Sequence, residues 1–298
     1  MAQISYDGTF KELLDGFHNS DIVGTINRLF EEKHPKNSEV KKLATESHDN
    51  NKEMRSDKIL QIGDDTYHIE LQTDDDKSIV TRVFMYSYRA AMQHSKQDGV
   101  DFLELRFPKT VVFYLRSDEN TPRELTVRLT LPDGNKVSYK VPTKRLCEYT
   151  PEDLTEKSML IFAPFYSMLW ENKLKTPETL EELQNVMLFL SDGIKKQLEN
   201  GEVSKITADY ATNALRVILR NVLTKSKVKP EEVTNLMEAV ERRYNLDINN
   251  WRAEGEAKGE MRKTLELAKR LLGMGDSVDK VVTVTGLPRE KVESLHPQ

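Results

Sequence analysis

Between Asp57 and Ala91 the chain places acidic, amide and imidazole side chains at spacings that could hold a cation against a phosphate group. In YHIELQ, the residues His68, Glu70 and Gln72 alternate with Tyr67, Ile69 and Leu71. Side chains two apart on a strand share a face, so the polar trio is expected on one side and the apolar trio on the other. The preceding SDKILQI is rich in β-favouring residues and GDD is a turn signal, so the spacing predicts strand, tight turn, strand. With Asp64 and Asp65 as a two-residue loop, Gly63 pairs with Thr66 and Asp57 falls opposite Gln72, on the face of Glu70. Two carboxylates and an amide on one face call for a counter-charge, and a hard divalent cation with oxygen ligands supplies one. The same residues would also suit the solvated polar face of an antiparallel hairpin.

The elements around this hairpin can be traced outward from it. The acidic run Asp74-Asp75-Asp76 precedes a helix expected over Ser78 to Gln97, where negative charge suits the helix N-terminus. Helical spacing puts Val80, Phe84 and Ala91 on one face, and Arg82, Tyr86, Arg89 and Gln93 on another. Arg82 is always protonated and can clamp a phosphate in two-pronged fashion, with Tyr86 one turn later on its face. A surface Arg-Tyr pair would use the same spacing, and His68 is read as a polar filler rather than a ligand. Strands are expected over Phe102 to Phe107 and Thr110 to Leu115, the second apolar enough to be covered on both faces. A β-hairpin over Glu124 to Val141 turns at Pro132-Asp133-Gly134-Asn135.

Upstream, YDGTFKELLDGF and IVGTINRLF read as two short amphipathic helices with Phe10, Leu13, Leu14 and Phe17 inward. Lys33 to Lys52 is polar and aperiodic. After Pro151 the pattern is helical: Thr176 to Asn200 with Thr176 as cap and Pro177 at the first position, then Ile206 to Leu223, then Glu231 to Tyr244. In the tail, a charged helix over Glu254 to Leu272 stops at Gly273 and Gly275. Two short helices around Gly286-Leu287-Pro288 follow, at a spacing that suits a helix-turn-helix, a helical cap or an oligomerisation element. The second of these sets Arg289 and Lys291 against Glu290 and Glu293, a poor charge balance for DNA.

With 298 residues, the chain can bury one large or two ordinary cores, and 38% hydrophobic with 31% charged residues fits a folded, helix-rich protein. Cys147 is the only cysteine, which excludes an intrachain disulfide and a multi-thiolate zinc site. No basic-then-apolar leader is visible, and the longest apolar run, MLIFAPFYSMLW, is too short to span a bilayer, so the expected compartment is the cytoplasm. A net charge of −5 argues against nonspecific coating of nucleic acid but leaves local patches open. Candidate patches are Lys33, Lys36, Lys41 and Lys42, then Arg82 with Arg89, then Arg216 to Lys229, each also readable as a solvated helix face. The chain contains no Walker-A loop, no G-x-G-x-x-G and no H-E-x-x-H, so nucleotide cofactors and zincin chemistry have no support.

Asp57 followed by Glu70-Leu71-Gln72 resembles the D…E-x-Q variant of the PD-(D/E)XK nuclease superfamily. YHIELQ with IVTRVFMYSYRAA, the strand-rich FLELRFPKTVVFYL and LPDGNKVSYKVP, APFY, and the tail from GEAKGEMRK to VESL together resemble the bacterial recombination-promoting nuclease family, also described as transposase-related. The resemblance implies an α/β fold, a mixed sheet flanked by helices, with a nuclease core over 1–150, a helical region packed on it over 151–250 and a helical tail over 251–298. It implies Mg2+ or Mn2+ held by Asp57, Glu70 and the Leu71 carbonyl, with Gln72 orienting the attacking water and DNA as substrate. Gln72 replaces the commoner lysine of the superfamily and brings no charge, a gap that Arg82 could fill. The family's opening D-x-x-F-K pattern best matches Asp7, with Glu12, Asp15 and Glu31 as competitors for an additional acid. A nuclease fold that binds nucleic acid or protein without cutting, and a helical scaffold with a merely polar hairpin, remain the alternatives. Homo-oligomerisation is also open.

Overall fold

Strands whose alternate residues are apolar must bury that half, and here both halves of the central strands are covered. The computed structural model describes residues 5–43, 46–47, 54–55, 59–73, 77–93, 96–97, 101–156, 158–244, 264–265 and 267–295. Helix α1 (Tyr6–Gly16) starts at Ser5, whose side chain accepts from the Gly8 amide, and α2 (Asn19–Phe30) follows directly. Then come β1 (Lys41–Leu43), a two-residue ladder of β2 (Glu46–Ser47) with β3 (Met54–Arg55), β4 (Ile59–Ile62) and β5 (Asp65–Gln72). Helix α3 (Ile79–Gln93) precedes a second small ladder, β6 (Lys96–Gln97) with β7 (Leu103–Glu104), and then β8 (Lys109–Tyr114). The hairpin of β9 (Glu124–Thr130) and β10 (Lys136–Arg145) completes a six-stranded sheet of order β1-β4-β5-β8-β10-β9.

The β1–β4, β4–β5 and β9–β10 pairs are antiparallel, whereas β5–β8 and β8–β10 are parallel. Parallel neighbours need a crossover, and α3 lies in the connection from β5 to β8. The fold is therefore α/β, a mixed sheet flanked by helices.

One sheet face carries Tyr67, Ile69, Leu71, Val111 and Phe113, all buried. It packs under α1, α2 and a run of 3₁₀ turns, Leu160–Trp170. Phe113 stacks on Phe162 with ring centroids 3.8 Å apart, and Phe10 continues the stack at 5.7 Å. Further helices close over this layer: α4 (Pro151–Glu156), α5 (Pro177–Glu199), α6 (Lys205–Lys225) and α7 (Pro230–Tyr244). Thr176 caps α5 in a reciprocal box with Thr179 and Pro177 opens it, as the sequence predicts. Gly16 is required where α1 meets α6, because a Cβ there would lie 2.4 Å from the Tyr210 ring.

The other face is covered by α3. Ile79 and Val83 join Val112, Tyr114, Leu125 and Val141 in one cluster, with Val80 and Tyr139 at its edge. Ser87 meets Thr110 across the same seam at 3.3 Å. The buried stripe of α3 is therefore Ile79, Val83, Tyr86, Ser87, Ala90 and Ala91. Phe84, expected inward, is instead half-buried, stacked on Tyr88 and Phe107. A stripe at i, i+4, i+7, i+8 and i+11 runs wider than the Val80-Phe84-Ala91 line and includes a tyrosine and a serine.

Two further expectations shift. The β4–β5 loop is Gly63-Asp64, not Asp64-Asp65, since Ile62 pairs with Asp65 and Gln61 with Thr66. Gly63 takes a φ of 60°, and glycine at the first position of a two-residue hairpin loop is a favoured solution. The pairing moves by two residues, so face assignments hold on the described strands. The expected strand Phe102 to Phe107 shrinks to Leu103–Glu104, because Phe102, Leu103 and Phe107 are exposed and nothing buries the alternation. The β9–β10 turn forms at the predicted residues, with Gly134 at φ 85° and its amide donating to the Leu131 carbonyl.

The chain divides into two compact units, Met1–Tyr244 and Asn245–Gln298. In the second, α8 (Val278–Thr285) and α9 (Arg289–Glu293) flank Gly286, Leu287 and Pro288 around a small core of Ala268, Leu272, Val281, Leu287 and Val292. No helix among the described residues is long and apolar enough to cross a membrane.

Because Phe162 bridges Phe10 and Phe113 in the larger core, Phe162→Ala is expected to cost about 3–5 kcal/mol of unfolding free energy. Denaturant titration measures it, and a loss under about 1 kcal/mol would mean that this stack is not central to stability.

Candidate functional site

Strand β5 is central, so its polar half cannot face water. His68 is 0% exposed, Glu70 3% and Gln72 5%, all on the face turned toward α3. A buried carboxylate requires a partner, and α3 delivers one from its side. Arg82 Nη2 donates to Glu70 Oε1 and to Gln72 Oε1, both at 2.6 Å. One guanidinium nitrogen thus fixes two side chains two residues apart on the strand. Tyr86, one turn on, is buried and meets the His68 ring edge-to-face, centroids 5.9 Å apart at 81°. The structure therefore brings Glu70, Gln72, Arg82 and Tyr86 together, and adds His68 to them.

Two side chains on the strand side of this cluster keep buried atoms without hydrogen-bond partners among the described residues. Glu70 Oε2 accepts no hydrogen bond, and neither ring nitrogen of His68 has a hydrogen-bond partner. His68 Nε2 stands 3.4 Å from Glu70 Oε2, too long for a good hydrogen bond. An unpaired buried carboxylate oxygen beside an unpaired imidazole is costly. A divalent cation would relieve that cost, and Glu70 Oε2 and His68 are two donors of the right chemistry for one.

The other expected residues are placed as follows. Asp57 lies outside the described residues. Leu71 turns its side chain to the opposite, apolar face and is buried there. Asp7 occupies the first turn of α1, half-exposed and paired with Lys11 at 2.6 Å. Of its competitors, Glu12 and Asp15 are exposed, and Glu31 is the left-handed residue ending α2. No group of three or more His, Cys, Asp or Glu side chains poised to hold a metal occurs among the described residues.

A second polar cluster anchors the end of β5. Arg116 donates from Nη1 to the Thr73 carbonyl at 3.1 Å and from Nε to Glu171 Oε2 at 2.6 Å. The Tyr6 hydroxyl donates to Glu171 Oε1 at 2.9 Å and accepts from Asn221. Burial, reinforced by the Glu171 charge, pushes the Tyr6 hydroxyl well above the ordinary tyrosine range. These contacts join the start of α1, which carries Asp7, to the strand end that carries Gln72. Their sequence separations run to 215 residues, so no local pattern could have flagged them.

Several residues of the expected basic patches are engaged in fold contacts. Lys36 donates to the Glu202 carbonyl, Lys42 to the Asp15 carbonyl, and Arg216 pairs with Glu241. In the tail, Arg289 is paired with both Asp279 and Glu293, which offsets the charge of the stronger cation of α9.

Comparison with known proteins gives no matching family model, no similar curated protein and no similar solved structure.

The Arg82 bridge is measurable as coupling. Arg82→Ala strands a buried carboxylate, whereas Arg82→Ala combined with Glu70→Gln does not, so the double-mutant cycle should show about 1–3 kcal/mol of coupling. The partial exposure of Arg82, 32% of its side chain, keeps this below the cost of breaking a fully buried pair. Additive effects in denaturant unfolding would show that the bridge contributes nothing to the folded state.

Proposed function

We propose that this protein is a metal-dependent DNA endonuclease of PD-(D/E)XK type, acting in the cytoplasm of a bacterium in recombination or mobile-element biology. The observation that carries the proposal is the buried Glu70 with an unsatisfied oxygen, set beside Gln72 on a central strand and beneath an arginine. The architecture also supports it: a mixed sheet flanked by helices is what the resemblance implies.

Glu70, with Asp57 and the Leu71 carbonyl, would hold magnesium or manganese. Such an ion, when bound, activates water and offsets charge on the scissile phosphate. Gln72 orients the attacking water through its amide, a group that can both donate and accept. Arg82 supplies the positive charge that the glutamine lacks, exchanging its contacts to Glu70 and Gln72 for phosphate oxygens as substrate arrives. Tyr86 packs against His68 and holds the polar face of β5 against the helix. Asp7 is the candidate additional acid, carried by a helix whose start is tied to the end of β5.

A second function is favoured by one contact. Arg82 already neutralises Glu70 without a metal, as would suit a nuclease fold that binds nucleic acid or protein and no longer cuts.

Plasmid cleavage decides between them. The purified protein is expected to nick or linearise DNA with magnesium or manganese and to stop on addition of chelator. Glu70→Gln keeps the side-chain shape but removes a ligand charge, and is expected to lose on the order of a hundredfold in rate while still binding DNA. Binding without metal and without cleavage of any duplex or single strand would establish the non-cutting function instead.

A further inference from the structure

We infer that His68 is a nitrogen ligand in the same cation site as Glu70, and that the site therefore selects manganese over magnesium. The inference rests on the assignment of Glu70 as a metal ligand and extends it to a residue that the D…E-x-Q pattern does not include. His68 is fully buried, and both of its ring nitrogens lack hydrogen-bond partners among the described residues. A buried histidine that merely fills space normally donates one N–H and accepts at the other nitrogen, whereas here Nδ1 has no hydrogen-bond partner and Nε2 has only the long contact to Glu70 Oε2, which calls for a different account.

The geometry supplies that account. His68 Nε2 faces Glu70 Oε2 at 3.4 Å, and that oxygen is the unpaired one. Metal–nitrogen and metal–oxygen bonds of about 2.0–2.2 Å set neighbouring ligands of one ion roughly 3.0–3.5 Å apart, which brackets this separation. Both side chains are held in place independently of any ion. Arg82 clamps the other oxygen of Glu70 at 2.6 Å, and Tyr86 fixes the imidazole plane edge-to-face. The two unpaired atoms are thus presented to each other by contacts on their far sides, and β-strand parity keeps them on one face.

Ligand chemistry then selects the ion. Magnesium prefers an all-oxygen octahedral shell and gives up water reluctantly, whereas imidazole nitrogen suits transition-series ions. One carboxylate plus one imidazole keeps an oxygen donor for phosphate chemistry while biasing the site from magnesium toward manganese. Zinc would also accept these donors, so the metal titration includes it.

The test uses the full-length protein stripped with chelator and does not depend on cleavage. Calorimetric titration is expected to show manganese binding at least tenfold tighter than magnesium, and electron-spin-echo spectra of bound Mn2+ are expected to carry nitrogen-14 modulation from imidazole. His68→Gln should abolish the modulation and bring the manganese-to-magnesium affinity ratio down about tenfold or more, while Glu70→Gln weakens both ions. If His68→Gln fails to fold, the nitrogen signal of the wild-type protein remains a complete test. Manganese bound without nitrogen modulation, or an affinity ratio unchanged by His68→Gln, would each overturn the inference while leaving Glu70 as a ligand. Failure to bind any of the three ions would overturn it together with the metal-dependent function on which it rests.

Discussion

The contact between Arg82 and the pair Glu70 and Gln72 governs the rest of the molecule's polar architecture. A glutamate at 3% exposure on a central strand is not viable without a cation, and the strand cannot supply one from its own sequence. Helix α3 supplies it, and in doing so fixes its own rotation about its axis. With Arg82 pointed at β5, residues at i−3 and i+1 fall over β8 to β10, where Ile79 and Val83 meet Val112, Leu125 and Val141. The apolar seam and the polar bridge are two consequences of one helix orientation. Moving either would expose the other.

The opposite sheet face allows this arrangement because it carries most of the burial. Phe10, Phe113 and Phe162 form a continuous aromatic stack between α1, β8 and the 3₁₀ segment, and Leu71 and Ile69 extend it under β5. A largely apolar core on one side helps to hold unsatisfied polar atoms on the other. Tyr67 shows the same strand solving its polar problem differently on that side. Its hydroxyl meets His34 Nε2 at 2.6 Å, and burial raises it to about 12, so it stays a neutral, paired group. Glu70 and His68, on the other face of the same strand, keep atoms without hydrogen-bond partners among the described residues. That contrast within a single strand sets the candidate site apart from an ordinary buried network.

Much of this was legible in the sequence wherever the information was local. Alternation in YHIELQ placed Glu70 and Gln72 on one face and Leu71 on the other. Pro177 after Thr176, and Pro-Asp-Gly-Asn between alternating runs, marked a helix start and a hairpin turn correctly. The β4–β5 loop was misplaced by one residue at each strand because two adjacent aspartates compete with glycine for the turn, and the left-handed preference of Gly63 prevails. The inward stripe of α3 was misread because Tyr86 and Ser87 are buried through partners, His68 and Thr110, that lie on other strands. His68 was passed over for the same reason. Its strand position was plain, but only tertiary packing shows that helix α3 shuts water away from both of its nitrogens.

The glutamine at position 72 and the arginine at position 82 are best understood as a single device. Gln72 Oε1 accepts from the same Nη2 that binds Glu70, and a lysine in its place has no lone pair to offer. Lysine would set an ammonium against a guanidinium above one carboxylate, and two like charges sharing a single counter-ion in a poorly solvated site repel strongly. Delivering the positive charge from the helix therefore requires a neutral acceptor on the strand, and delivering it from the strand would exclude this arginine. The exchange has a functional consequence as well. A strand lysine is fixed beside the carboxylates, whereas Arg82 keeps about a third of its side chain exposed and can leave them for a phosphate. In the proposed nuclease, the arrival of an anionic substrate would then release Glu70, coupling the freeing of the buried acid to the presence of the group it would act upon.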